Sequence, residues 1–301
     1  NFISEFKSFV LNKNTKSVKK LKKKIDEFKP DVVYIHNTWF KASVGIFKFL
    51  EKQNIESLLK IHNFRYFCTK NFLASNHFED QKFCKACGLE RKSMGIFNKY
   101  FQDSYLKSII AIRYGKKYFR ILKNSNIKIL VLTDFHKNYL EKLGVDKSKL
   151  FIFRNYLDVN KSNKFRNTEN YIIYAGRISK EKGVEKLIKA FLKCDFKDIK
   201  FKIVGQGPDK AKLKKQYINE SIEFLDQMSN ADVLNLIKNA ISTVTSTSLF
   251  EGQPTLLCEA SSLGVPSIFP NSGGIREFFP EDYELSFNYD SDDDLVLNLS
   301  Q

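Results

Sequence analysis

The sequence predicts an α/β protein of two domains, each built on a parallel sheet. Short apolar runs of β-type residues end in glycine or polar turns, and stretches with helical spacing follow them. That order recurs in both halves of the chain. At 301 residues the chain is long enough for two separate cores. Hydrophobic residues make up 43% and aromatic residues 14%, which excludes a chain disordered as a whole.

In the first half a helical region is expected around Phe6 to Phe28. Two strands follow, Val32 to Asn37 and Ser57 to Asn63, and each runs from β-type residues into a His-Asn pair: His36-Asn37 and His62-Asn63. Parallel strands would carry both pairs at their carboxyl ends, where open α/β sheets bind ligands. The stretch Tyr105 to Lys123 mixes apolar residues with Arg113, Lys116, Lys117 and Arg120. It reads either as a helix lying on an anionic bilayer or as a core helix with a solvated basic face. A third strand, Ile127 to Thr133, leads to a helix from Phe135 to Leu143, and a further apolar run begins at Phe151. The polar run Asn160 to Asn170 reads as an interdomain linker. The expected domains are therefore 1–158 and 171–301, joined by 159–170.

The second half is more regular. An apolar strand from Tyr171 reaches Gly176-Arg177, a basic loop ends at Lys182-Gly183, and Val184, Leu187, Ile188 and Phe191 then recur at helical spacing. Phe201 to Val204 is a strand ending in Gly205-Gln206-Gly207-Pro208; it lacks the third glycine of the dinucleotide fingerprint. A helix at Lys210 to Tyr217, a strand at Ile222 to Leu225 and a helix at Ala231 to Ala240 come next. Thr243 opens a strand and a small-residue loop that leads to Glu251.

The most informative segment is Glu251-Gly252-Gln253-Pro254-Thr255-Leu256-Leu257-Cys258-Glu259. Pro254 stands where a helix would begin, and its missing N–H is harmless there. The free amides of Thr255 and Leu256, with the helix dipole, favour an anion such as a phosphate. Arg177 and Lys182 fall beyond the carboxyl end of a strand and can neutralise a diphosphate, Arg as a fork of donors and Lys as a compact charge. Carboxylates on either side can hold sugar hydroxyls. Together these residues read as a sugar-nucleotide site.

The two glutamates form an E-x7-E arrangement. It continues into Gly264-Val265-Pro266, Gly273-Gly274 and Glu277, and the whole stretch resembles the retaining glycosyltransferases of family 4. The resemblance implies the GT-B architecture, two Rossmann-like domains whose parallel sheets face a cleft. It also implies that Arg177 and Lys182 grip the donor diphosphate, that Glu251 holds the donor sugar, and that Glu259 holds the ribose. Gly252, Thr255 and Leu256 join the donor site, and the loop at Asp226-Gln227-Met228 reads the nucleobase. His62 matches the family histidine that contacts the transferred sugar; His36 and Asn37 are expected on the acceptor side. The segment Arg154-Asn155-Tyr156-Leu157-Asp158 matches a family turn but lacks its glycine, which leaves that turn undefined. The family also implies hexosyl transfer with retention, from a nucleotide-diphosphate sugar to a glycan or lipid-linked acceptor, without a cofactor. No Asp-x-Asp metal motif precedes the site, in keeping with metal-independent chemistry, and Asp292-Asp293-Asp294 is expected to be solvated.

Charge is divided unequally. The formal net is +16; residues 1–150 hold 31 Lys+Arg against 13 Asp+Glu, and residues 151–301 hold 19 against 21. A basic first half suggests attraction to an anionic membrane surface or a lipid-linked phosphate. Nucleic acid fits less well, because no recognition motif accompanies the charge. No apolar run approaches the roughly 18–20 residues of a membrane span. The expected location is the cytoplasm, with peripheral attachment to the inner face of the membrane, in cell-envelope polysaccharide synthesis. Cys84-Lys85-Ala86-Cys87 is a C-x2-C pair that, with Cys68 and His77, can supply four ligands for a structural zinc. The start at Asn1 and the short end lead us to expect a fragment of a longer protein. A sugar-nucleotide epimerase of the same architecture and a non-catalytic sugar-nucleotide binder remain open at this point.

Overall fold

The computed structural model describes residues 14–36, 38, 43–64, 104–157 and 167–301, with the side chains of 107, 108, 111 and 112 excepted. The chain divides into two compact units, Asn1–Arg154 and Asn155–Gln301.

In the first unit, helix α1 (Thr15–Phe28) starts at Asn14, whose side chain accepts from the Lys16 and Ser17 amides. Strand β1 (Val32–His36), helix α2 (Gly45–Lys52), strand β2 (Glu56–Lys60) and helix α3 (Tyr105–Asn124) come next. Strand β3 (Lys128–Val131), helix α4 (Asp134–Lys142) and strand β4 (Leu150–Ile152) complete the unit. The four strands pair in parallel in the order β1-β2-β3-β4. Parallel pairing requires a crossover between neighbours, which α2 and α4 supply.

Helix α3 packs one apolar stripe against the core of the unit and leaves Tyr105, Leu106 and Ile109 exposed. Ile110, Tyr114, Tyr118 and Leu122 recur every four residues and are buried. The Tyr114 hydroxyl donates to the Thr38 carbonyl at 3.1 Å, and the Tyr118 ring lies 5.9 Å from Phe47. The apolar stripe is spent on the core of the unit, and Arg113, Lys116 and Lys117 keep the outer face. Among the described residues no helix is long and apolar enough to cross a membrane.

The second unit alternates strands and helices throughout. Strand β5 (Tyr171–Ala175), helix α5 (Val184–Lys193), strand β6 (Lys200–Val204), helix α6 (Lys210–Gln216) and strand β7 (Ile222–Leu225) form its first half. Helix α7 (Asn230–Asn239), strand β8 (Ser242–Val244), helix α8 (Thr255–Ser262), strand β9 (Ser267–Pro270), strand β10 (Ser286–Phe287) and helix α9 (Asp292–Ser300) follow. All pairings are parallel, in the order β10-β9-β8-β5-β6-β7. The chain moves outward from β5 to β7, then returns to place β8 on the other side of β5. The boundary between β5 and β8 is thus the point where the winding reverses, and ligands of open sheets bind at the carboxyl ends there.

Both faces of this sheet are covered. Val184, Leu187, Ile188 and Phe191 of α5 pack with Phe201, Ile203 and Leu295 on one face. Ile237 of α7 and Ala260 of α8 pack with Tyr171, Ile173 and Val204 on the other. Burial on both sides explains why the strands read as continuous apolar runs rather than alternating ones. Glu169 and Asn170 already bond this unit: Glu169 N–H donates to the Asn239 carbonyl at 2.8 Å, and the Asn170 carbonyl accepts from Lys200 at 2.9 Å. At the far end, Asp292 to Asp294 form the first turn of α9, with Asp292 and Asp293 exposed to solvent as expected. Ser291 caps the helix by accepting from the Asp294 amide, and Asp292 pairs with Lys186 at 3.0 Å.

Candidate functional site

The loops after β5, β6 and β8 meet at the winding reversal and are locked by backbone bonds. Gly176 N–H donates to the Val204 carbonyl at 3.0 Å, Ile178 N–H to Gln206 at 2.9 Å, and Asp209 N–H to Ile178 at 3.2 Å. The closeness of this pairing explains the Gly-x-Gly turn: a Cβ on Gly207 would lie 2.0 Å from the Ile178 carbonyl oxygen. Arg177 sits at the crest, its carbonyl held by the Tyr174 hydroxyl at 2.8 Å. Its side chain is exposed, with no ion pair among the described residues.

The basic loop then makes a 3₁₀ turn, Lys180–Lys182, and ends at Gly183 with φ +67°. The segment after β8 clasps this turn. Both the amide and the hydroxyl of Ser248 donate to the Glu181 carbonyl, at 2.9 and 3.1 Å. Lys182 is thereby aimed at the next loop, where its Nζ meets Glu251 Oε1 at 2.5 Å. Thr247 Oγ1 donates to the same carboxylate oxygen at 3.2 Å. Both members of the pair are about one-quarter exposed, 29% for Lys182 and 25% for Glu251, so a ligand can reach them.

The Glu251 carbonyl accepts from Gly274 at 3.1 Å, which ties the loop to the Gly273-Gly274 turn beyond β9. Gln253 grips Asn155 in both directions, accepting from its amide at 2.6 Å and donating to its carbonyl at 3.0 Å. Gly252 is buried between these anchors. Pro254 is the cap residue of α8, and no side chain caps the helix start. The amides of Thr255 and Leu256 therefore stand in the first turn without intrahelical acceptors, as a helix start dictates.

Glu259 lies on α8 and is about half-buried. Burial raises its carboxyl above the usual range, and the Asn230 side chain opposes that by hydrogen bonding. Asn230 opens α7, just past the loop expected to meet the nucleobase. In that loop Asp226 accepts from Lys210 at 2.7 Å and from Gln206 at 2.9 Å. The Lys210 ammonium beside it holds Asp226 below the ordinary carboxylate range. Gln227 projects into solvent.

In the first unit, His36 closes β1 and His62 follows β2. Their Nδ1 and Nε2 atoms lie 2.8 Å apart, so one ring donates and the other accepts. Burial, then His36, then Lys60 hold His62 below the ordinary imidazole range. Asn37, Cys68, His77, Cys84 and Cys87 lie outside the described residues.

The geometry therefore brings Lys182 and Glu251 into contact, sets Arg177 on the adjoining loop, and pairs His36 with His62. Three participants escaped sequence reasoning. Thr247 sits in a run of small residues that carries no spacing signal. Asn230 follows a Ser cap, a signal that marks the helix start but not the contact with Glu259. Lys60 is a charge inside the apolar run Leu58-Leu59-Lys60-Ile61, and that anomaly was visible.

A family model described as "Glycosyl transferases group 1" matches residues 157–299. Among curated proteins, the alpha-monoglucosyldiacylglycerol synthase of Acholeplasma laidlawii is 24% identical over 296 residues, covering 94% of this chain and 69% of its own length. The amylovoran biosynthesis glycosyltransferase AmsD of Erwinia amylovora is 26% identical over 186 residues, covering 58% of this chain and 52% of its own. Among solved structures, a TarM mutant of S. aureus, in complex with fondaparinux, alpha-GlcNAc-glycerol and UDP, superposes with a TM-score of 0.65 at 18% identity; the match covers 95% of this chain and 50% of that one. The chain thus spans between half and about two-thirds of these proteins. Likeness at that identity shows the fold alone, GT-B, and within that fold residues 157–299 are similar to the glycosyl transferases group 1 family.

Proposed function

We propose that the chain is part of a retaining, metal-independent hexosyltransferase that moves a sugar from a nucleotide-diphosphate sugar to a glycan or lipid-linked acceptor. The observation that carries this reading is the Lys182–Glu251 contact at the winding reversal of the second sheet. It holds a diphosphate-binding cation against a hydroxyl-binding carboxylate, the two chemistries that meet at the anomeric carbon of a sugar nucleotide.

In the reaction, the bond from the sugar's anomeric carbon to the β-phosphate oxygen breaks and a bond to an acceptor hydroxyl oxygen forms on the same face. The departing phosphate oxygen takes the acceptor's proton, and a nucleoside diphosphate leaves. Negative charge grows on the β-phosphate during this step. Arg177, Lys182 and the Thr255 and Leu256 amides would stabilise it electrostatically. Glu251 would turn from Lys182 to the sugar hydroxyls as Lys182 turns to the phosphate. Glu259 would accept from the ribose hydroxyls, Gln227 and its neighbours would meet the base, and His62 would contact the transferred sugar.

Support for an envelope role comes from the relatives, one named for a glucosylated diacylglycerol and one for amylovoran synthesis. Helix α1 adds Lys16, Lys19, Lys20, Lys22, Lys23 and Lys24 before its first acid at Asp26, a cationic face suited to an anionic membrane surface. The reading places the protein in the cytoplasm, peripherally attached to the membrane.

The test is a product assay with UDP-, GDP- and ADP-sugars against a lipid-phosphate acceptor extract, with the product's anomeric configuration read by NMR. A glycosylated product that keeps the donor's configuration is expected. An inverted product would remove the retaining assignment, and an epimerised nucleotide sugar in place of a glycoside would favour the epimerase reading.

Glu259 gives a pH signature. A carboxyl raised by burial is protonated in the folded chain at a higher pH than ordinary Glu. Ribose binding needs the ionised form, so donor affinity should fall on acidification earlier than an unperturbed glutamate would dictate. Ionising Glu259 as pH rises through its raised pKa also works against folding. Glu259→Gln should therefore keep or slightly raise thermal stability while weakening donor binding roughly tenfold and removing the acid limb. Calorimetry with the nucleotide sugar across pH checks both; an unchanged acid limb in the variant would assign it to another group.

A further inference from the structure

Residues 251–254 lie in neither strand nor helix, with the Glu251 carboxylate at one end and the start of α8 at the other. Their backbone is held at both ends. The Glu251 carbonyl accepts from Gly274 at 3.1 Å, and the Pro254 carbonyl accepts from Cys258 at 3.0 Å. Between them Gly252 has no side chain to fix it, and a glycine backbone is the most permissive of all. The Gln253 side chain supplies the hold in the middle. Its Oε1 accepts from the Asn155 amide at 2.6 Å, and its Nε2 donates to the Asn155 carbonyl at 3.0 Å. The partners are 98 positions apart, and Asn155 opens the second unit. A side-chain amide that meets the N–H and the C=O of one residue together copies the paired bonds of two antiparallel strands. Two such bonds fix its plane as well as its distance.

In the free chain the Glu251 carboxylate is ordered by its bonds to Lys182 and Thr247. The transfer proposed above takes Lys182 to the phosphate, so the stronger of those bonds is lost when the sugar arrives. What then fixes the carboxylate is the backbone beneath it. The Gly273-Gly274 turn supports that backbone on one side: Gly273 has φ +61°, and a Cβ there would stand 3.1 Å from the Glu251 carbonyl oxygen. Gln253 supports it on the other. Misplacing a reacting group by about 1 Å can cost about 10² in rate. Helix α8 has an anchor of its own, since Leu257 and Ala260 are buried. The Thr255 and Leu256 amides therefore keep their place without Gln253.

We infer that Gln253 is a positioning residue for the Glu251 carboxylate, its two-way bond with the Asn155 backbone setting where that carboxylate meets the donor sugar; the inference rests on the transfer reaction proposed above. Gln253 acts through Glu251 rather than on the substrate. Its loss separates two properties that a general loosening of the fold would lower together: sugar transfer falls, and nucleoside diphosphate binding stays.

The experiment compares Gln253→Ala and Gln253→Glu with the wild-type chain by product assay, by calorimetry with UDP, GDP and ADP, and by NMR hydrogen exchange at the Gly274 amide. In Gln253→Ala kcat should fall about 10–100-fold. The Kd for the nucleoside diphosphate should stay within about threefold, and the melting temperature within about 4 °C. Gln253→Glu tests the bond itself. An ionised carboxylate accepts from the Asn155 amide but has nothing to donate to its carbonyl, whereas a protonated one restores both bonds. The kcat of Gln253→Glu, as a fraction of the wild-type value at the same pH, should be low at about pH 8 and rise towards about pH 5. The ratio removes the acid limb that Glu259 gives to both proteins. A flat ratio, or a Gln253→Ala kcat within about threefold of wild type, overturns the inference. Equal losses of kcat and diphosphate affinity overturn it too, because Gln253 would then be a structural residue. The exchange arm needs no turnover: the Gly274 amide should exchange about tenfold faster in Gln253→Ala, and an unchanged rate overturns the positioning role. Should Gln253→Ala fail to fold, Gln253→Glu decides by the same readings. A wild-type chain that transfers no sugar, with faster Gly274 exchange in the variant, counts against the transfer reading and supports the hold of Gln253 on the loop.

Discussion

Replacing Glu251 with Gln should abolish sugar transfer while the second unit stays folded. The carboxylate is held by Lys182 and Thr247, which fix its position but do not bury it deeply. Loss of a partly exposed ion pair costs at most about 1 kcal/mol after solvent screening. Loss of a group that is needed as charge develops costs far more, on the order of 10²–10³ in turnover. The signature is therefore a collapse of kcat with little change in melting temperature. Retention of turnover within about tenfold of wild type would take Glu251 out of the chemistry.

Gly183→Ala should act on folding instead. Gly183 has φ +67°, and a Cβ there would stand 1.9 Å from the Ser246 carbonyl oxygen. Neither partner can yield easily: one is backbone in a turn, the other backbone leaving the central strand β8. The left-handed backbone alone costs about 1–2 kcal/mol for an ordinary residue. Displacing the clasp at Ser246 to Ser248 adds to this and should bring the total above about 3 kcal/mol, at the severe end for single substitutions. Thermal unfolding of the purified chain checks this, with a large drop in melting temperature or loss of soluble protein expected. A variant with wild-type stability would mean that the loop after β5 is not pinned to the loop after β8, and that the aim of Lys182 is set some other way.

These two positions show what could be read from the chain. The second unit was legible because burial on both sheet faces forces continuous apolar strands, and because Gly183, Gly207 and Pro254 each stand where backbone geometry leaves little choice. Arg177 and Lys182 could be placed at strand ends for the same reason. What could not be read was side-chain company. Nothing in the spacing announces that Thr247 shares an oxygen of Glu251 with Lys182, or that Asn230 turns back to Glu259. Such contacts depend on how loops distant in sequence fold over one another. Helix α9 was missed although Ser291 followed by Asp294 is a helix-start signal; the acids read correctly as solvated, and the exposed acids masked the helix they begin. In the first unit, the apolar stripe of α3 was visible, but its core partners, Phe47 and Thr38, are far away in sequence.

Nucleoside diphosphate binding by calorimetry tests most directly whether the loops that follow the neighbouring strands β5 and β8 seat a pyrophosphate. Titrating the wild-type chain with UDP, GDP and ADP should reveal at least one ligand. Its affinity should fall about tenfold or more in Arg177→Met and again in Lys182→Met, each losing a charge-assisted contact. If none of the three binds, or if the one that binds is indifferent to both substitutions, those loops do not hold the phosphates and the transferase reading fails.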